Sequence, residues 1–326
     1  MTTLAPRLAA PRTTRWLIRL HRPALLVWTL VLVALGGALL WLWGPLADAS
    51  AAAFRQIAAC KTESCRYDQA SILRYKDVYN YVTFGVLAVP FLVAAWAGAA
   101  LTGRELEQHT AQLAWTQGVS PTRWLATKLA LPAALVTAGT GLLVLLHHQM
   151  WWAAEGHIDT AKTWYDPPTF YAGGPITVAL ALAGLFAGAF AGILLRRSLA
   201  ALGAAVAAVG ALWFGLHQAL PYLWSPVTST ASLAQEWPSG AGIDVSTGLY
   251  TATGKHLANP FCGSTISKEC ETLYERLGAV GWYKDYHPLS HYWPLQLTAS
   301  ALVLAVAALL ALAAFRVTAA RTRAVS

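Results

Sequence analysis

The sequence predicts an all-α integral membrane protein with six transmembrane helices and both termini on the cytoplasmic side of the cell membrane. Three observations carry that prediction. First, 56% of the 326 residues are hydrophobic and 12% charged, with a mean hydropathy of +0.47, about half the charged fraction of soluble domains. Second, six apolar runs each reach the roughly 20 residues that a helix needs to cross a bilayer. Third, Lys and Arg gather at alternate ends of those runs, as the positive-inside bias requires. Lipid offers backbone groups no partner, so such segments span as helices.

The runs are Pro23 to Trp43, Val78 to Leu101, Trp124 to Leu146, Pro175 to Leu195, Leu199 to Leu220 and Trp293 to Phe315. Arg7, Arg12, Arg15, Arg19 and Arg22 precede the first; Arg104, Arg123 and Lys128 flank the second and third; Arg196 and Arg197 join the fourth and fifth; Arg316, Arg321 and Arg323 follow the sixth. Glu105 and Glu107 are the only carboxylates on that side, so it is strongly cationic and the opposite side slightly acidic. The formal charge of +8 is thus a topological bias, and no basic cluster with interleaved aromatics points to nucleic acid.

Within that frame, residues 1–22 read as a cytoplasmic basic segment, either an interfacial helix with Trp16, Leu17 and Leu20 dipped below the headgroups or a tail that only sets topology. Residues 23–326 read as one six-span domain with outward loops 44–77, 147–174 and 221–292. The last is too long for a plain connector, and Ser267 to Leu277 within it reads as a short helix. Cys60 and Cys65 fall in the first outward loop and Cys262 and Cys270 in the third. Three pairings are open; local pairing within each loop is favoured, and four free thiols are the alternative. In the fourth span, Gly184, Gly188 and Gly192 form overlapping GxxxG patterns that admit another helix backbone to backbone, within the protomer or at a dimer seam. In the second, Pro90 predicts a kink, and Ala94, Gly98 and Thr102 form a small-residue stripe.

The stretch 102–128, TGRELEQHTAQLAWTQGVSPTRWLATK, lies between two apolar runs yet is dense in charged and amide groups. Leu106, Thr110 and Leu113 recur at i, i+4, i+7, which puts a semi-apolar stripe on a short helix. Gly118 ends that helix. Ser120 then serves as an N-cap with Pro121 at the first helical position, so a new helix starts there.

Chemistry is sparse elsewhere. The runs hold no ionised residues away from their ends, which argues against a carrier driven by proton or ion exchange. The nearest P-loop look-alike, Gly248 to Lys255, has five residues between its glycines and His256 where Ser or Thr is needed. His147, His148, His157, His287 and His291 lack an HExxH or a companion carboxylate pair, so they read as interface histidines and no metal site or catalytic residue is assigned.

The loop Gly103 to Lys128 resembles the cytoplasmic loop of ABC-2 type transporter permeases. Arg104-Glu105 matches the charged opening, Thr110 the threonine, Leu113 the leucine, Val119-Ser120 with Arg123 the turn, and Lys128 the lysine that enters the third span. His109 stands where the family has glycine, and Pro121 follows the serine instead of preceding it. The layout of six spans with the longest outward loop before the last is also similar, and Tyr286-His287-Pro288 through Phe315 looks like the last span of actinobacterial members.

The resemblance implies an ABC-2 permease-like bundle, the non-catalytic membrane subunit of an exporter. ATP and Mg would be bound by a separate cytoplasmic ATPase subunit, and a second permease subunit would complete the path as a homo- or heterodimer. The loop would contain a coupling helix, with Arg104, Glu105, Leu106, Glu107, Thr110, Leu113, Trp115 and Arg123 as the contact set. The alternatives are an ABC-linked sensor or mechanical relay whose outward loops bind a ligand without transport, and a membrane-embedded enzyme.

Overall fold

A computed structural model describes residues 22–61, 66–108, 110–111, 115, 120–158, 161–234, 237–260 and 268–323. The expected segment 1–22 lies outside these except for Arg22, as do Cys65, Leu113 and Cys262. Among the described residues, six helices are long and apolar enough to span a membrane: Arg22–Ala58, Gln69–Glu107, Pro121–Ala154, Pro175–Leu195, Ser198–Tyr222 and Leu289–Ala320.

The first span is α1 (Arg22–Trp41), a π-helical turn over Leu42–Leu46 and α2 (Ala47–Ala58). Pro45 has no N–H to give, and the helix passes it by widening instead of stopping. The loop expected from residue 44 to 77 is therefore largely helix. Asp68 caps α3 (Gln69–Trp96), accepting from the Ser71 N–H at 3.2 Å and the Ser71 hydroxyl at 2.5 Å. Those bonds hold its carboxyl below the usual range. A second π segment, Ala97–Gly103, carries α3 without a break into α4 (Arg104–Glu107).

Ser120 accepts from the Arg123 N–H at 3.3 Å, and Pro121 opens α5 (Pro121–Ala154) as the sequence requires. At 34 residues α5 is about 50 Å long and outruns the hydrocarbon core. Asp166 caps the short α6 (Pro167–Ala172) through the Thr169 N–H and hydroxyl. Then come α7 (Pro175–Leu195) and α8 (Ser198–Ala219), joined by a two-residue turn in which Arg196 adopts φ 53°. The chain closes with α10 (Tyr292–Arg323).

Helix α7 is the axis of the bundle and packs against α3, α5, α8, α10 and the second π segment. Its glycines meet backbone. A Cβ on Gly184 would lie 2.7 Å from the Pro90 carbonyl oxygen, and one on Gly188 2.6 Å from the Gly98 nitrogen and 2.8 Å from the Ala94 oxygen. On Gly192 it would overlap the Thr102 hydroxyl and come within 2.7 Å of the Gly103 nitrogen. Two apolar cores flank this axis, one built on α1, α3, α5 and α7 around Leu42, Val86, Leu101, Leu125 and Leu143, the other on α6, α7 and α10 around Phe170, Ile176 and Leu295.

The all-α expectation needs one correction. Residues between α8 and α10 form a four-stranded antiparallel sheet of order β1-β4-β2-β3, with β1 Val227–Ser232, β2 Ile243–Thr251, β3 His256–Ala258 and β4 Ala279–His287. Helix α9 (Lys268–Arg276), close to the bounds read from sequence, covers one face of the sheet. There Leu249, Cys270, Tyr274, Ala279 and Trp282 make a small separate core. Glycines in the strands hid the alternation. Each is roofed by a tyrosine from the neighbouring strand, Gly248 by Tyr283 and Gly281 by Tyr250, where a Cβ would come within 2.8 Å and 2.5 Å of a ring carbon. The Gly248 to Lys255 stretch that mimicked a P-loop is thus strand β2 and its hairpin turn, with Gly254 at φ 78°.

Candidate functional site

Arg104, Arg123, Lys128, Arg196 and Arg197 lie at one end of the bundle, where the ends of α4 and α7 meet the starts of α5 and α8. Because α4 continues α3, its residues 105 and 107 point to nearly opposite sides of one helix. Glu105 forms an ion pair with Lys128 of α5, whose side chain is 7% exposed. Glu107 accepts a hydrogen bond at 2.9 Å from the backbone N–H of Ser198, the first residue of α8. Arg197, the N-cap residue of α8, supplies no side-chain bond of its own.

The other sequence-predicted residues distribute around this bracket. Leu106 packs on the larger apolar core, and the Thr110 hydroxyl donates to the Glu105 carbonyl at 3.2 Å. Trp115 meets Trp124 edge-on with ring centroids 5.8 Å apart, and the Lys128 ammonium stands 5.3 Å from the Trp124 ring. Arg104, Arg123, Arg196 and Arg197 are exposed. Leu113 lies outside the described residues. Thr102 is buried and its hydroxyl donates to the Ala189 carbonyl at 3.1 Å, which ties the π segment to α7.

At the opposite end of the bundle, the structure shows a polar network that sequence reasoning missed. His147 is fully buried within α5, with Nε2 3.0 Å from the Thr83 hydroxyl of α3. The Tyr79 hydroxyl is 2.9 Å from that of Thr169, which donates to Asp166, also at 2.9 Å. Tyr292 donates to the Gly173 carbonyl at 2.8 Å, and the Gln296 amide to the Phe170 carbonyl at 2.6 Å. The sequence reads His147 and His148 as interface histidines for want of an HExxH or a carboxylate pair, whereas His147 is a core residue. Tyr79 and Thr83, four residues apart in α3, were the available signal.

Cys60 and Cys270 are both disulfide-bonded; Cys65 and Cys262 lie outside the described residues. Among the described residues no group of three or more His, Cys, Asp or Glu is arranged to hold a metal ion.

Six apolar helices packed around a glycine-lined central helix, with an interhelical charged bracket at one end, mark a multi-pass membrane protein. A family model described as ABC-2 membrane transporter related matches residues 29–220, more than half of the chain. The protein belongs to that family, and with it to the ABC-2 type permeases, the membrane components that associate with ABC ATPase subunits. No curated protein and no solved structure matches. The sheet and α10 fall beyond the matched range.

Proposed function

We propose that this chain is the permease subunit of an ABC exporter, moving its substrate outward with ATP and Mg bound by a separate nucleotide-binding subunit. That subunit docks on loop 102–128 from the cytoplasm, where both termini lie, and a second permease subunit, identical or not, completes the path. The observation that carries the reading is the bracket at α4. A segment that is continuous with span two, and bonded to the starts of spans three and five, is fitted to take a push from outside the bundle and distribute it.

The exposed Arg104, Arg123, Arg196 and Arg197 add to this reading. They set a cationic rim around the bracket that suits an acidic partner surface. The sheet then lies outside the cell, where the local disulfides Cys60 to Cys65 and Cys262 to Cys270 persist.

The test is purification of the tagged chain in mild detergent with mass spectrometry of co-eluting proteins. An ATP-binding subunit is expected with the native chain and is expected to be lost when Arg104 and Arg123 are both changed to Glu. A chain that elutes alone contradicts the proposal. The sheet favours a second reading, a sensor or relay in which the outer module binds a ligand and nothing crosses; ATPase stimulation without substrate flux would mark it.

A further inference from the structure

Helices α4 and α8 are far apart in sequence, yet the first turn of α8 is built on the end of span two. Gly103 approaches so closely that a Cβ there would stand 3.1 Å from the Ser198 Cα, and a Cβ on Gly98 would lie 2.6 Å from the Ala201 carbonyl oxygen. One turn beyond Gly103, the Glu107 carboxylate receives the Ser198 N–H at 2.9 Å. The first N–H groups of a helix have no acceptor within it, and an N-cap side chain serves only that of the second or third residue. Here Arg197 provides none, and the acceptor comes from the loop proposed to meet the ATPase.

The surroundings make this bond a mechanical link. The turn between α7 and α8 is only Arg196 and Arg197, with Arg196 in the left-handed region. A displacement of Ser198 therefore has no slack to absorb it. Behind α4 lies the π segment Ala97–Gly103, and π turns inside α-helices recur at functional sites. Glu105 holds the opposite side of α4 to Lys128 on α5.

We infer that Glu107 is the positioning residue through which movement of the 102–128 loop is passed to span five, by serving as the N-terminal acceptor of α8 from outside that helix. The inference rests on the docking proposed above. It assigns the two carboxylates different tasks, Glu105 anchoring the loop to span three and Glu107 driving span five.

Ser198 allows a specific test. Proline is favoured at the first position of a helix and lacks an N–H, so Ser198→Pro deletes the bond while leaving the start of α8 intact. Glu107→Ala deletes it from the other side, and Glu107→Gln keeps an acceptor oxygen. Spin labels carried on unnatural amino acids are placed in the complex with its ATPase in nanodiscs. One pair joins exposed Thr122, outside the contact set, to the ATPase, and the other joins exposed Ala204 on α8 to exposed Leu30 on α1. Distances are read with ATP absent and with ATP plus vanadate.

The expected result is that the first pair responds in every variant. The second should respond in the native chain and Glu107→Gln but lose most of its change in Ser198→Pro and Glu107→Ala. A second pair that moves as far in Ser198→Pro as in the native chain overturns the inference and leaves docking untouched. If no ATPase binds the native chain, or the first pair never moves, the docking proposal itself falls.

Discussion

Helices α1 and α7 are equally apolar over their most hydrophobic stretches, yet 17% of that stretch is buried in the first span and 67% in α7. In water, apolarity would send both to the core. In lipid it sends neither, because hydrocarbon solvates Leu as well as a protein interior does. What separates them is side-chain size and where it falls. Helix α7 has Gly at 184, 188 and 192 with Ala at 179, 181, 183, 187, 189 and 191, and neighbouring backbones close on it. Helix α1 presents Leu26, Val27, Leu30 and Val33, all more than half exposed in the chain.

The comparison breaks most sharply at its glycines. Gly188→Leu drives a side chain into backbone atoms of Gly98 and Ala94, beyond the 1–3 kcal/mol typical of overpacking. The expected outcome is loss of the monodisperse peak in detergent size-exclusion. Gly37, with nothing within 4 Å of its Cβ position, is the counterpart: Gly37→Leu should shift the thermal midpoint by no more than an ordinary surface change, about 0.5 kcal/mol. Equal damage at both sites would show that size on α7 is not what places it.

Charge follows the same division at Lys128, whose buried ammonium is held between α5 and the Glu105 carboxylate of α4. Lys128→Met leaves Glu105 without its cation and should cost about 3 kcal/mol, in the range for breaking a buried pair. The double variant Lys128→Met with Glu105→Gln should recover most of that, and a thermal-shift cycle on the four proteins checks it. Failure to recover would mean that the pair contributes packing and not charge balance. Among the polar sites, the smaller effect is expected at the opposite end. Thr83→Val removes the partner of His147 Nε2 and should cost about 1–3 kcal/mol, read as a lowered midpoint with unchanged elution.

Much of this was legible in the sequence, for identifiable reasons. The bounds of α7 coincide with its apolar run because Pro175 opens it and the Arg196-Arg197 turn closes it. The start of α5 was readable because Ser120 and Pro121 act locally. The extensions of the other helices were not. Ala47–Ala58, Gln69 to Asp77 and His147 to Ala154 carry polar groups that end a hydropathy run without ending a helix. The sheet was masked by Gly248 and Gly281, whose partners Tyr283 and Tyr250 come from other strands. At the candidate site, the sequence marked Glu105 and Glu107 as notable but could not show that each faces a different span, because that depends on α4 being the end of α3.

The most direct measurement of the central claim is site-specific photocrosslinking in cells. A photoreactive residue at Arg123, beside the α4 bracket, is compared with one at Tyr222, 76% exposed where α8 leads to the sheet. The account predicts a crosslinked ATP-binding subunit from position 123 and none from position 222. The same subunit captured from position 222, or capture from neither position with the partner co-expressed, would contradict docking at the loop and with it the assignment of this end of the bundle to the cytoplasm.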